Sequence, residues 1–285
     1  MPRLIAFIDS SIYANSVLDH AAWVGRRLSA DIEVLHVLGR GDMSSNEVNL
    51  SGALDPDARD YLMAELSALD EQKAKLAQKR GRLILQDAKQ RLEAAGIQVV
   101  TTKLRIGDLV ETMHEFETGA DLILIGKRGE AADFARMHLG SNIERVVRAS
   151  TKPILVASRE FKPIERVLIA FDGGASITKG INYLSKAQTA FSGLSLTLLK
   201  VGECTADAKD RVDHATAMLR AVGYQVESRV VPGEPERVIS EAVEEEKFNL
   251  LVMGAYGHSR IRSLIVGSTT TAMIRSCKIP IVLFR

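Results

Sequence analysis

The 285-residue sequence has few cysteines, few aromatic residues and almost no net charge. Its only cysteines, Cys204 and Cys277, are too few for a disulfide framework or a four-thiolate zinc site, which favours a reducing compartment. The 37 Lys and Arg residues nearly balance the 36 Asp and Glu residues, so the chain has no overall basic footprint for nucleic acid or an anionic membrane. The aromatic residues form no stacking array for single-stranded nucleic acid. We therefore expect no nucleic-acid partner and no membrane partner.

Long apolar runs are also absent. The first run, residues 4–8, ends at Asp9 and is too short for the core of a signal peptide. No run approaches the ~20 residues that a membrane-spanning helix needs. The apolar content of 46% is nevertheless enough for a substantial core. At ~100–200 residues per domain, the length predicts two domains. The absence of long apolar runs leads us to expect a soluble, cytoplasmic protein.

The chain contains an internal repeat, which is its most informative feature. Residues 4–9 (LIAFID) return as residues 167–172 (VLIAFD). Four further blocks recur in the same order: 32–37 as 196–201, 94–99 as 221–226, 121–126 as 249–254, and 152–156 as 278–283. Five ordered blocks predict a tandem duplication, with one domain at 1–158 and a second at 163–285.

The first copy is longer than the second by about 37 residues, which fall at about 42–78. This insertion begins with polar residues and then becomes helix-like, because leucines recur every seven residues from Leu62 to Leu83 with charged residues between them. The pattern favours a long amphipathic helix that packs on its own domain. A helix that docks a partner is the alternative. Such a helix needs two apolar columns, however, and charged residues interrupt the second one here.

Short apolar strands alternate with segments of helical period in each copy. In the first copy the strands are predicted at 4–8, 32–38, 98–104, 121–125 and 153–157. Alternation of this kind is typical of a parallel sheet with right-handed crossovers. We therefore predict an α/β fold of two tandem doubly wound units, each with a five-stranded parallel sheet flanked by helices. Such sheets bind ligands beyond the carboxyl ends of their strands.

A glycine motif follows the fourth strand of the second copy. It reads Gly254-Ala255-Tyr256-Gly257, then nine residues, then Gly267-Ser268-Thr269. The paired glycines allow the backbone to turn tightly and to approach a ligand. The later segment precedes an apolar helical stretch, and the amides and hydroxyls of a helix N-terminus favour phosphate. His258, Arg260 and Arg262 add donors or positive charge between the two parts.

This spacing resembles the nucleotide-binding signature of the universal stress protein family. The aspartates that end the first strand of each copy and the valines of the second strands extend the resemblance over nearly the whole chain, apart from the 42–78 insertion. In the ATP-binding branch of that family the aspartate and the valine flank the base and ribose, and the glycine segment takes the ribose and phosphates. For the second copy the resemblance implies an ATP site formed by Asp172, Val201, Gly254, Gly257, His258, Gly267, Ser268 and Thr269.

The first copy departs from this pattern. The corresponding residues are Asp9, Val37, Gly126, Gly129, Gly140 and Ser141, but ten residues instead of nine separate Gly129 from Gly140. Glu130 and Asp133 bring negative charge to the place where phosphates would lie, and Lys127, Arg128 and Arg136 oppose it. We therefore expect a degenerate, weaker nucleotide site in this copy.

Each of these features also has a simpler explanation. Asp9 and Asp172 are suited to cap the helices that follow them. The paired glycines could serve only a tight turn, and Arg260 and Arg262 could be solvated surface charges. The five histidines other than His258 show no metal-ligand spacing, so we expect no metal site in the protein itself.

The sequence favours a binding protein over an enzyme. It has no Gly-x-x-x-x-Gly-Lys-Ser/Thr phosphate loop, and no Ser-His-Asp or Cys-His arrangement in a recognisable context. The leading hypothesis is a non-catalytic ATP-binding regulatory protein of the stress response that acts through a conformational change. One alternative is a slow ATPase or phosphotransfer protein with Mg²⁺ held by Asp172 or Ser268. Another is a ligand-free interaction scaffold in which the 42–78 insertion is central.

The last strand of each copy begins with a proline, at Pro153 and Pro280, as edge strands often do. An apolar edge strand needs a partner. Members of the resembled family commonly dimerise through this strand, which implies a pseudo-dimer of the two halves within one chain. Further dimerisation and the identity of a protein partner stay open.

Overall fold

The computed structural model describes residues 1–43, 56–127, 141–255 and 268–285. The first half contains strands β1 (Arg3–Ile8), β2 (Asp31–Leu38), β3 (Val100–Ile106), β4 (Leu122–Gly126) and β5 (Ile154–Ala157), and helices α1 (Ala14–Leu28), α2 (Arg40–Met43), α3 (Pro56–Ala94), α4 (Leu109–Glu117) and α5 (Ser141–Ala149). The second half contains strands β6 (Arg166–Ala170), β7 (Ser195–Val201), β8 (Gln225–Val231), β9 (Leu250–Gly254) and β10 (Ile281–Phe284), and helices α6 (Ala175–Lys186), α7 (Ala206–Ala221), α8 (Pro235–Glu245) and α9 (Ser268–Ser276).

All ten strands belong to one sheet, in the order β3-β2-β1-β4-β5-β10-β9-β6-β7-β8. Within each half the strands are parallel and follow the same order, with the first strand at the centre and the third at the edge. Helices cover both faces, so inner strands such as β1, β4 and β9 are buried on both sides and consist of nearly continuous apolar residues. The edge strands β3 and β8 contain more polar residues and are mostly half-buried or exposed. The predicted α/β fold, with two five-stranded parallel arrays flanked by helices, is confirmed.

The two halves meet at their closing strands. β5 and β10 pair antiparallel, with Leu155 opposite Val282 and Val156 opposite Ile281. One hydrophobic core on each face of the sheet runs through both halves: α1, α3, α6 and α7 contribute to the first core, and α4, α5, α8 and α9 to the second. Because this one pairing is antiparallel, the strands of the two halves run in opposite directions. The carboxyl ends of the two parallel arrays therefore lie on opposite sides of the molecule.

Helix α3 is 39 residues long and only its C-terminal part is buried in the core. The buried column consists of Leu85, Ala88 and Leu92, preceded by Gly81, whose Cβ would lie 2.7 Å from Leu104 Cδ1. A glycine at this point therefore lets the helix lie directly against the edge of the sheet.

The leucines that recur every seven residues do not form this buried column. Leu69, Leu76 and Leu83 are 57%, 68% and 58% exposed. The predicted long helix is present and packs on its own domain, but through the buried column and not through these three leucines. The physical reason is that a spacing of seven residues defines a helix face but not what that face contacts, and a different face of α3 supplies the residues that pack on the sheet. Residues 44–55 of the insertion lie outside the described residues.

Candidate functional site

Three predicted site residues of the second half lie at neighbouring strand ends. The strand order β9-β6-β7 brings together Gly254 at the end of β9, Asp172 just after β6, and Val201 at the end of β7. All three are half-buried. Parallel strands that are neighbours in a sheet end side by side, so these residues lie together at the crevice beyond the strand ends, which is where doubly wound sheets bind ligands.

Asp172 shapes the turn that leads from β6 into α6. Its Oδ1 accepts a hydrogen bond from the backbone N–H of Gly174, at 2.8 Å. Gly173 has a φ of +77°, a conformation that favours glycine, and α6 begins at Ala175. The simpler explanation, that Asp172 caps α6, is wrong, because the N-cap is Gly174 and no side chain makes a capping hydrogen bond there. Asp172 instead holds the turn that precedes the helix.

The glycine at the end of β9 has a packing role. A Cβ on Gly254 would lie 3.2 Å from the Cβ of Ser176 and 3.3 Å from the backbone nitrogen of Ile177. Both atoms belong to the first turn of α6, so the absence of a side chain at Gly254 lets the end of β9 lie against that turn. Close packing against α6 is therefore one reason for a glycine at this strand end.

The N-terminus of α9 is held beside the end of β9. Thr270, in the first turn of α9, is 3% exposed, and its Oγ1 donates a hydrogen bond to the Ala255 carbonyl at 3.1 Å. Ser268 is the first residue of the helix, and Thr269 is half-buried. The unpaired backbone N–H groups of a helix N-terminus carry partial positive charge, which suits a phosphate.

The remaining predicted residues of this motif lie outside the described residues. They are Gly257, His258 and Gly267, and the side chain of Ser268 is likewise not described. These assignments therefore stay predictions.

The first half repeats the geometry of the aspartate turn. Asp9 follows β1, and its Oδ1 accepts a hydrogen bond from the backbone N–H of Ser11 at 3.0 Å, as Asp172 does from Gly174. Val37 in β2 and Gly126 at the end of β4 are both half-buried at strand ends that flank β1. Gly129 and Gly140 lie outside the described residues, and so does the side chain of Ser141, which begins α5.

Lys127, next to Gly126, contacts the other half of the molecule. Its Nζ donates a hydrogen bond to the backbone carbonyl of Cys277 at 2.5 Å, just beyond the C-terminal residue of α9. A cation at a helix C-terminus is favourable because the helix dipole is negative there. We predicted that Lys127 would oppose acidic residues of its own loop. A contact between residues 150 positions apart cannot be inferred from local sequence.

A pocket that the sequence did not predict borders the aspartate turn of the second half. It measures about 280 Å³ and lies between α6 and α7. Its lining residues are Phe171, Gly173, Thr178, Ile181, Asp210, Arg211, His214, Ala215 and Met218. The α7 residues recur with helical spacing, but their pattern mixes charged and apolar side chains and resembles an ordinary half-buried helix face. His214 is exposed, which agrees with the prediction that it is structural or on the surface, and it also lines this pocket.

The third strand end of the first half has an aspartate with several local partners. Asp108 is the N-cap of α4 and accepts hydrogen bonds from the backbone of Val110 and Glu111 and from the Arg145 side chain, the last at 2.9 Å. Burial opposes its ionisation, but these hydrogen bonds outweigh it and hold the pKa of Asp108 below its ordinary value. This carboxylate therefore serves to join α4 to α5.

Within 1–43, 56–127, 141–255 and 268–285, no group of three His, Cys, Asp or Glu residues is arranged to hold a metal ion. No helix in those ranges has the length and apolarity to cross a membrane.

Comparison with known proteins gives a consistent result. The model of the universal stress protein family matches residues 1–158 and 184–285. A universal stress protein of Synechocystis sp. is 36% identical over the full length of both chains. Among solved structures, a universal stress protein from Archaeoglobus fulgidus is similar over 99% of this chain and 98% of its own, with a TM-score of 0.72 and 22% identity.

Proposed function

Because the chain belongs to the universal stress protein family, we propose that it is an ATP-binding regulatory protein of the stress response. The observation that carries this proposal is the convergence at the second half's crevice. The ends of β9, β6 and β7 lie side by side, and the N-terminus of α9 is hydrogen-bonded to the residue after β9. A half-buried carboxylate, a strand end without a side chain and a helix N-terminus are together suited to one small anionic ligand.

Each group would contact a different part of the nucleotide. The Asp172 carboxylate would accept hydrogen bonds from ribose hydroxyls or from the adenine amino group, and the main chain at Val201 would pair with the edge of the base. Gly254, Gly257 and Gly267 would let the backbone approach the ribose and phosphates. Phosphate oxygens would accept hydrogen bonds from the first amides of α9 and from the hydroxyls of Ser268 and Thr269. His258 would add a donor.

Mg²⁺ would enter together with the nucleotide. This ion is usually held by one or two carboxylates together with substrate phosphates and water, so a dedicated protein cage is not needed.

The first half would bind nucleotide more weakly or not at all. Its Asp9, Val37 and Gly126 occupy equivalent strand ends, but Lys127 is engaged with the end of α9. We assign the two repeats to domains at 1–158 and 163–285. Their antiparallel β5–β10 pairing supports an arrangement in which the halves form a pseudo-dimer within one chain.

Equilibrium binding of ATP to the full chain tests the proposal. We expect one ATP per chain, and at least a tenfold loss of affinity in Asp172→Asn, which keeps an oxygen for the Gly174 N–H but removes the charge. Asp9→Asn is the matched control, because its aspartate makes the same turn in the other half, and it should leave affinity unchanged.

Phosphate release is measured in the same samples, because slow ATP hydrolysis is the alternative activity. Hydrolysis that disappears in Asp172→Asn but persists in Asp9→Asn would support an ATPase over a purely regulatory site. Absence of ATP binding by the parent chain would contradict the proposed function.

A further inference from the structure

The outward face of α3 has a stripe of apolar side chains that is largely exposed to solvent. We call Leu62, Leu69, Leu76 and Leu83 the leucine stripe. Leu62 is half-buried, and the other three are more than half exposed. Ten large apolar side chains are exposed in the described residues, and three of them, Leu69, Leu76 and Leu83, belong to this stripe. Such a concentration on a single element indicates a contact surface.

The leucine stripe faces away from the body of the protein. At about 100° per residue, Leu83 lies about 200° around the helix axis from Gly81, which contacts the sheet. The buried Leu85, Ala88 and Leu92 share the face of Gly81. A partner on the leucine stripe would therefore not compete with the packing of α3 on β2 and β3.

The exposed part of α3 has an acidic N-terminal portion and a basic C-terminal portion. Residues 57–72 contain five acidic residues and one basic residue, whereas residues 73–83 contain five basic residues and no acidic one. If two such helices lay parallel, like charges would face each other. If they lay antiparallel, the acidic part of each would lie along the basic part of the other, and the helix dipoles would also oppose each other favourably.

The stripe and the charges agree on one register. A two-fold axis between Gln72 and Lys73 would place Leu69 opposite Leu76 of a second copy, and Leu62 opposite its Leu83. The same axis would bring Glu65 beside Lys79 and Arg80 of that copy. One helix therefore contains both halves of a self-complementary surface, which is the requirement for an isologous dimer.

We propose that α3 joins two copies of this chain by antiparallel pairing of their leucine stripes. The contact is separate from the β5–β10 junction, which is satisfied within the chain. The nucleotide crevice of the second half is not part of it, so the dimer does not depend on the proposed function.

Sedimentation of the full chain over a range from about 1 μM to about 100 μM tests the proposal. We expect a monomer–dimer equilibrium whose dissociation constant rises at least tenfold in Leu69→Asn with Leu76→Asn. These side chains are exposed in the single chain, so at a concentration where the parent is monomeric the variant should keep the thermal midpoint of the parent. Met63→Asn is the matched control, because Met63 is 52% exposed but lies on the Gly81 side of the helix, and it should leave the dimer intact.

Two further variants test the orientation. Glu65→Lys should weaken the dimer, and adding Lys79→Glu should restore it, which a parallel pair would not allow. In a Cys204→Ser background, mixed Leu62→Cys and Leu83→Cys chains should cross-link with each other, whereas Leu62→Cys chains alone should not. A parent chain that stays monomeric over the whole range, or a dimer that the double asparagine variant leaves unchanged, overturns the proposal.

Discussion

The two halves of the molecule share one topology but use the residue after the fourth strand differently. In the second half that residue is Ala255, which is buried and whose carbonyl accepts the hydrogen bond from Thr270. In the first half it is Lys127, which reaches across the junction to the carbonyl of Cys277. The first half therefore supports α9 from its C-terminal end, while the N-terminal end of the same helix faces the proposed nucleotide crevice. The two halves therefore contact α9 at opposite ends, the second half at its N-terminus and the first half at its C-terminus.

The largest expected effect is stabilisation of the second half by nucleotide. When ATP is present at about 100 times its Kd, it should add about 2.7 kcal/mol to the free energy of unfolding of the second half. Hydrogen exchange should slow at α9, at the end of β9 and in the turn around Asp172. We expect no change at β4 or at the Asp9 turn. Asp172→Asn should remove the protection, and equal protection of both halves would contradict the asymmetry between them.

The halves also differ in buried charge. Glu33 in β2 is 3% exposed and pairs with Arg3 and with Lys103, the latter at 2.7 Å. Its counterpart one repeat later is Thr197, which faces Leu168 as Glu33 faces Ile5. Burial alone would raise the pKa of Glu33, but the hydrogen bonds and charges of Lys103 and Arg3 lower it overall.

Glu33→Gln should destabilise the protein by about 2 kcal/mol at neutral pH, because two cations lose their buried partner. A lowered folded pKa means that the stabilisation is present above the unfolded value of 4.5 and is lost as pH falls through the folded pKa. The parent and the variant should therefore converge in acid, as measured by urea unfolding at several pH values. Glu244→Gln, which removes an exposed pair with Lys278, is the control and should have no measurable effect. A constant difference down to strongly acidic pH would contradict this assignment.

The parts of the structure that the sequence predicted are those with a local signal. Continuous apolar strands that alternate with helical segments, repeated twice, were sufficient for two parallel arrays. They also placed Asp172, Val201 and Gly254 at strand ends, because topology alone makes those ends adjacent. The seven-residue spacing of the leucine stripe predicted a helix, but it does not reveal which face of that helix packs on the sheet.

What the sequence did not predict depends on distant packing. The Lys127 contact joins elements that are remote along the chain. The pocket beside Gly173 forms between two separate helices. The need for glycine at residue 254 comes partly from the first turn of α6, about 80 residues earlier, as close packing in cores commonly requires. Local motifs indicate the ligand class but not these supporting contacts.

The smallest expected effect tests the bracing role of Lys127. Lys127→Met keeps the length and the apolar stem of the side chain but removes the ammonium from the end of α9. We expect a loss of about 1 kcal/mol in the free energy of unfolding, since one charge-assisted hydrogen bond at a helix terminus is lost. The loss should be accompanied by faster hydrogen exchange in α9. Lys179→Met is the matched control, because Lys179 donates to the carbonyl of Arg285 at an exposed position, and it should leave exchange in α9 unchanged. If Lys127→Met alters neither stability nor exchange, the two halves are joined by their sheet and cores alone, and the difference between Lys127 and Ala255 has no structural consequence.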